Sequence, residues 1–219
     1  SVSAFAQTRS RWAHAYRNGD RSQPRVAVTV DDWIHPEEWL EGVISLAEQY
    51  QIPLTLYPSG YALKVEHREL WQSAIDAGHV IGCHFFQHKS LTQRNETQVR
   101  QDLELYQKTL DKVLGYHYEV LSVRPPYGAG LAHGGSSTVG RWIHNAGYDH
   151  IVLWDVDEVK DLNKALRKIK NGSIILVHAN HHDLVFLGKL LEGLKDRNYE
   201  YVTVNELLNI TDRYFYVDE

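Results

Sequence analysis

The chain has 219 residues, 43% hydrophobic and 23% charged, the balance of one globular domain large enough to bury a core. A net charge of −5 and the lack of any apolar run near ~20 residues exclude a general nucleic-acid or anionic-membrane binder and a transmembrane helix. The single cysteine, Cys83, excludes an internal disulfide framework, and 13 histidines and 13 tyrosines direct attention to a metal site or a sugar cleft.

Residues 1–24 read as a helical or irregular lead-in ending at Pro24. Arg25–Val30 (RVAVTV) is a β-branched run that stops at Asp31-Asp32, the pattern of a buried strand with carboxylates at its C-terminal end. Residues 36–50 have helical spacing, with Trp39, Val43, Leu46 and Ala47 on one side and Pro36 in the first turn. Strands are predicted at 52–57, 80–83, 121–123, 151–154, 174–177 and 201–204. Helices are predicted at 69–77, 96–114, 137–146, 162–169, 184–194 and 205–208. Gly78, Gly115 and Gly147 follow three of these helices as C-caps. Such alternation with short connections predicts one α/β domain, a parallel sheet covered by helices, spanning residues 25–210 and followed by a tail at 211–219.

The reactive side chains fall where strands end. Asp31 and Asp32 follow one strand, His84 and His88 another, Arg124 a third, Asp155 and Asp157 a fourth, and His178 a fifth. Parallel strands deliver the residues after their C-terminal ends to a common mouth. His84 and His88 are four apart, so one helical turn would aim both imidazoles the same way. Two imidazoles and a carboxylate suit zinc or a similar divalent ion and leave a coordination position for water. Asp31-Asp32 can form a turn and cap the next helix, or divide metal binding and base chemistry between two carboxylates. Arg124 opens the rigid segment Arg-Pro-Pro-Tyr-Gly, where its guanidinium could orient a carboxylate.

These segments, in this order, resemble the polysaccharide deacetylase family, the NodB homology domain also called carbohydrate esterase family 4. The motifs are Thr29-Val30-Asp31-Asp32, His84-Phe85-Phe86-Gln87-His88, Arg124-Pro125-Pro126-Tyr127-Gly128, the surroundings of Trp154, and Leu176-Val177-His178. The resemblance implies a distorted (β/α) barrel of parallel strands. It implies one divalent metal, most often Zn2+, with Co2+, Mn2+, Ni2+ or Fe2+ as substitutes, held by Asp32, His84 and His88. It further implies Asp31 as general base, Arg124 as its holder, the Tyr127 backbone N–H as oxyanion donor and His178 as general acid. Trp154 and Leu176 would wall the pocket for the acetyl methyl.

Three positions depart from the family pattern. Trp33 stands where glycine is usual, and is read as a changed cleft wall in the substrate pocket. Phe85 replaces a serine or threonine that helps order the loop. In the fourth motif the carboxylate that tunes the acid histidine is displaced, leaving Asp155, Asp157 and Asp161 as alternatives. Gly128–Gly135 reads as a rim loop, with Ser136 or Ser137 capping the next helix, and Asn180-His181-His182-Asp183 as a loop or a supporting cluster.

The resemblance implies removal of N-acetyl groups from an N-acetylglucosamine-containing polysaccharide or peptidoglycan, with an acetylated carbohydrate polymer or oligomer as partner. An O-acetyl xylan esterase and a catalytically inactive carbohydrate-binding relative are the alternatives. Intact Asp32, His84 and His88 argue against a metal-free branch that opens cyclic amides. An extracytoplasmic place of action is expected, although no basic flank followed by an apolar stretch marks a signal peptide, and nothing in the sequence sets an oligomeric state.

Overall fold

The computed structural model describes residues 7–33, 35–131 and 137–218. In chain order the elements are β1 (Gln7–Arg9), β2 (His14–Tyr16), β3 (Arg25–Asp32), α1 (Pro36–Tyr50), β4 (Leu54–Pro58), α2 (Arg68–Asp76), β5 (Val80–Ile81), α3 (Glu96–Leu114) and α4 (Thr138–Asn145). There follow β6 (His150–Val152), α5 (Leu162–Lys168), β7 (Ile174–His178), α6 (His181–Leu194), β8 (Glu200–Tyr201), α7 (Val204–Leu207) and β9 (Tyr216–Asp218).

Strand β3 is the axis of the fold. It pairs in parallel with β4 on one side and β7 on the other, and β4 carries β5, giving the order β5-β4-β3-β7. Beyond β5 the ladder thins to single parallel bridges, Cys83 to Val123 and Val123 to Ile151, before reaching β6. The chain then bends, and Val156 bridges back to Ile175 of β7. The result is a closed but irregular (β/α) barrel. The strand expected at 121–123 is therefore one bridging residue, since Pro125 and Pro126 follow at once and lack the N–H groups a ladder needs.

The lead-in differs from expectation. β2 pairs in parallel with β6, and β1 pairs antiparallel with β9, so residues on either side of 25–210 add strands of three residues each. Arg9 fastens this edge through two 2.7 Å bonds to the buried Asp149 carboxylate.

Alternation along β3 sorts its side chains. Val26, Val28 and Val30 pack outward into the main cluster with α1, α3 and α6, while Ala27 joins Tyr57, Val152 and Ile174 in a second cluster with Val204 and Leu207 of α7. The Tyr57 ring lies against the backbone of Gly82, where any Cβ would sit 2.2 Å from it. Helix α3 begins with a capping box between Asn95 and Gln98 and ends at Gly115 in the left-handed region. Ser137 caps α4, accepting from the Gly140 N–H at 3.0 Å; Ser136 and residues 132–135 of the rim loop lie outside the described residues.

Trp33 is not a cleft wall. It is fully buried, its indole N–H donates to the Val30 carbonyl at 2.9 Å, and its ring meets Trp71 edge-on at 5.8 Å. The cause is backbone direction. Asp32 and Trp33 both have positive φ, 77° and 59°, and this left-handed turn sends the indole back under β3. Trp33→Ala is expected to cost about 3–5 kcal/mol in chemical denaturation, as for other large core aromatics. A stable variant with altered substrate affinity would return Trp33 to the cleft.

Candidate active site

The two carboxylates that end β3 diverge because of that turn. Asp31 is still in register, opposite His178 of β7 and Tyr57 of β4. Asp32 still pairs with Pro58 of β4 but at positive φ, and its Oδ1 lies 3.3 Å from His84 Nε2 and 3.1 Å from His88 Nε2. One ligand atom from each of Asp32, His84 and His88 lies within 4.8 Å of the others. His84 Nδ1 is 2.8 Å from the Arg124 carbonyl; a neutral ring donating there leaves the Nε2 lone pair facing the cluster. Burial alone would raise the Asp32 pKa, but the His84 and His88 rings beside it outweigh that effect and hold the carboxyl well below the usual carboxylate range. A carboxylate oxygen and two imidazole nitrogens with one fixed tautomer fit a divalent ion and leave room for further ligands. The protein thus carries an Asp-His-His cluster able to hold a metal.

The two histidines do not share a helical turn. Residues 84–90 are irregular, and Phe85 adopts φ 65°. The Phe85 N–H donates to Cys83 Sγ at 3.2 Å, while the Phe86 and Gln87 N–H groups donate to the Asp102 carboxylate of α3. Arg94 donates to the same carboxylate at 2.6 Å. The buried Asp102 thus orders the loop from outside, and the hydroxyl missing at Phe85 is replaced by an apolar ring that is itself fully buried. Asp102 escaped the sequence reading because it sits mid-helix, where a carboxylate ordinarily faces solvent.

Arg124 is fully buried inside the barrel. Its guanidinium donates to Asp31 Oδ1 and Thr29 Oγ1, both at 2.7 Å, and to the Val152 and Leu153 carbonyls at 2.9 and 3.1 Å. The cation also lies 4.3 Å from the Tyr57 ring centroid. With Oδ1 so engaged, Asp31 Oδ2 is left 3.9 Å from His84 Nε2.

None of the three carboxylates considered for His178 bonds to it. Asp155 accepts from Arg21, Ser173 and the Ile174 N–H; Asp157 accepts from the Trp154 indole at 3.1 Å; Asp161 caps α5. The partner is Asp183, whose Oδ2 accepts the His178 N–H at 2.8 Å and lies 2.9 Å from His178 Nδ1. That hydrogen bond, opposed by burial and aided by Asp31 and Asp32, raises the His178 pKa above its ordinary value. Asp183 is held in turn by the side chain of Asn180, which caps α6. The only signal in the sequence was the Asn-x-x-Asp spacing of a helix start.

These groups share one cavity of about 240 Å3, lined by Asp31, Asp32, His84, His88, Tyr127, Trp154, Asp157, Leu176 and His178. Tyr127 has φ 63°, and among the described residues its N–H has no hydrogen-bond acceptor. Its exposed ring meets His88 edge-on at 4.7 Å. Of the expected site residues, only Trp33 lies away from this cavity's surroundings; Arg124 stands behind Asp31, and the others line the wall.

A family model described as polysaccharide deacetylase matches residues 18–151, which hold Asp31, Asp32, His84, His88 and Arg124. The chain belongs to that family. It is 25% identical over 205 residues to a bifunctional xylanase/deacetylase of Pseudobutyrivibrio xylanivorans, covering 87% of this chain and 31% of the relative. It is 27% identical over 208 residues to the peptidoglycan-N-acetylglucosamine deacetylase PgdA of Listeria monocytogenes, covering 89% of this chain and 42% of that protein. The chain therefore spans less than half the length of these two relatives. Among solved structures, the Bc1960 peptidoglycan N-acetylglucosamine deacetylase superposes with a TM-score of 0.77 at 23% identity, covering 91% of this chain and 94% of that one, which shows a shared fold.

Asp102 gives this family member's histidine loop a test. Asp102→Asn is expected to weaken binding of Zn2+ about 10- to 100-fold in a competitive chelator titration while circular dichroism stays native. Unchanged affinity would show that the loop is ordered by other contacts.

Proposed function

We propose that the chain is a metal-dependent deacetylase that hydrolyses N-acetyl groups of an N-acetylglucosamine-containing polysaccharide or peptidoglycan, acting at the cell envelope. The observation that carries this reading is the convergence, in one cavity, of the Asp32-His84-His88 cluster, the Arg124-held Asp31 and the Asp183-held His178. The peptidoglycan deacetylase relative supports the substrate class. Among the described residues no helix is long and apolar enough to cross a membrane.

Asp32, His84 and His88 would hold the ion, with Zn2+ the first choice for a set of two imidazoles and one carboxylate. When bound, a divalent ion lowers the pKa of a water and polarises the acetyl carbonyl. Asp31, kept in place by Arg124, accepts the proton of the attacking water. The Tyr127 N–H, which has no acceptor among the described residues, donates to the oxyanion as it develops. His178 delivers a proton to the leaving amine, which departs as acetate forms. Trp154 and Leu176 exclude water from the acetyl methyl, and Asp157 fixes the Trp154 indole.

Acetate release from a panel of acetylated glycans, with and without chelator, tests the reading. Hydrolysis of N-acetylated oligomers that is abolished by chelation and restored by Zn2+ is expected. Release from acetylated xylan alone would favour the esterase reading, which the xylanase/deacetylase relative supports. Metal uptake with no release from any glycan would favour an inactive binding relative. Asp31→Asn should lower kcat by at least about 100-fold with metal content retained, in line with loss of a general base.

The His178 shift sets a pH dependence. A general acid must be protonated, so activity falls as pH rises through its pKa, and Asp183 moves that fall to higher pH. Asp183→Asn should shift the alkaline limb of kcat/KM to lower pH. An unmoved limb would assign that limb to another group.

A further inference from the structure

A second cavity, of about 430 Å3, opens beside the first and is not used by the chemistry above. Its floor is apolar, formed by Val159, Leu162, Val185 and Phe186, and Lys160 and Lys189 stand at its edge with His181 and His182. Both lysines are exposed and make no ion pair among the described residues, although Lys164, Lys168 and Lys195 are each engaged by a glutamate. Lys160 and Lys189 thus bring two unpaired cationic side chains to one apolar groove, with Asp157 and Asp161 set apart along an adjoining trough.

The groove is joined to the reaction site in two ways. Asp157 lines both the catalytic cavity and a shallow trough beside it, and Val159 and Lys160 line both that trough and the larger groove. On the other side, the buried Asp183 is shared: one oxygen engages His178 and the other lies 3.0 Å from His182 Nδ1. The trough thus gives a neighbouring unit of a polymer whose acetyl group reached Asp31 and His178 a surface path towards Lys160 and Lys189.

We propose that this groove is a substrate subsite for a carboxylate-bearing branch of the acetylated glycan, of the kind a peptide stem on peptidoglycan provides. Apolar side chains of the branch would rest on Phe186 and Val185, and its carboxylates would meet Lys160 and Lys189. The inference rests on the deacetylase reading for the position of the glycan. It goes further by making an anionic branch, and not the sugar alone, a source of affinity.

The test compares a soluble peptidoglycan fragment carrying its peptide stems with a neutral N-acetylglucosamine oligomer of equal sugar length. Wild type, Lys160→Ala/Lys189→Ala, Lys160→Glu/Lys189→Glu and Lys160→Arg/Lys189→Arg are assayed for kcat and KM. For the stem-bearing fragment, the alanine pair should raise KM roughly tenfold with kcat unchanged, as expected for two solvent-screened contacts. The glutamate pair should raise it more, and the arginine pair should restore it. KM for the neutral oligomer should not move. Equal losses on both ligands, or no loss on the stem-bearing one, would overturn the subsite. If no glycan releases acetate, the deacetylase reading fails separately. Calorimetric binding of the same two ligands to the same four proteins, free of turnover, then decides the groove by the same pattern in Kd.

Discussion

A guanidinium with no access to water holds the centre of this barrel. Isolated, such a cation would be too costly to bury, and it is tolerated because Asp31, Thr29 and two strand-end carbonyls accept its hydrogen bonds while the Tyr57 ring covers one side. Those partners belong to β3, β4 and the segment running out of β6, so one side chain ties three parts of an irregular barrel together. The Arg124 carbonyl also meets His84 Nδ1, which links the barrel interior to the Asp-His-His cluster through a single residue. Fold and chemistry meet at Arg124, where the sheet has thinned to bridges and cannot define the mouth by ladder bonds alone.

Around that anchor the backbone takes unusual turns. Asp32, Trp33, Phe85 and Tyr127 have positive φ without being glycine, and each lies in or beside a motif that feeds the cavity. Such conformations carry a cost, and they persist where surrounding packing over-determines them. Trp33 and Phe85 show how, since both side chains are driven into fully buried sites that lock the turn. The left-handed turns separate Asp31 from Asp32, bring His88 back to His84 without a helix, and occur at Tyr127, whose N–H has no acceptor among the described residues.

Much of this was legible before any coordinates. β-branched runs ending in Asp-Asp, His-x-x-x-His, Arg-Pro-Pro and Val-His announced parallel strands converging on one mouth, because burial and strand ends leave a local signature. What escaped depended on direction or distance. Trp33 was read as cleft because residue type does not reveal a reversal of backbone handedness. Asp183 was read only as part of a loop or supporting cluster and not as the partner of His178, because its task is fulfilled from the first turn of the following helix, not from the motif where a carboxylate was sought. Strands β1, β2 and β9 are only three residues each, too short for periodicity, and exist through pairing with distant chain.

The thiol of Cys83 sits at the edge where regular pairing gives out, fully buried and accepting the Phe85 N–H. Burial pushes its pKa well above the ordinary thiol value, so it stays protonated and inert while the edge is closed. As the chain's single cysteine, it can be alkylated only in molecules whose histidine loop has opened. The speed of alkylation therefore becomes a clock for that opening, and any ion that Asp32, His84 and His88 would hold should slow it.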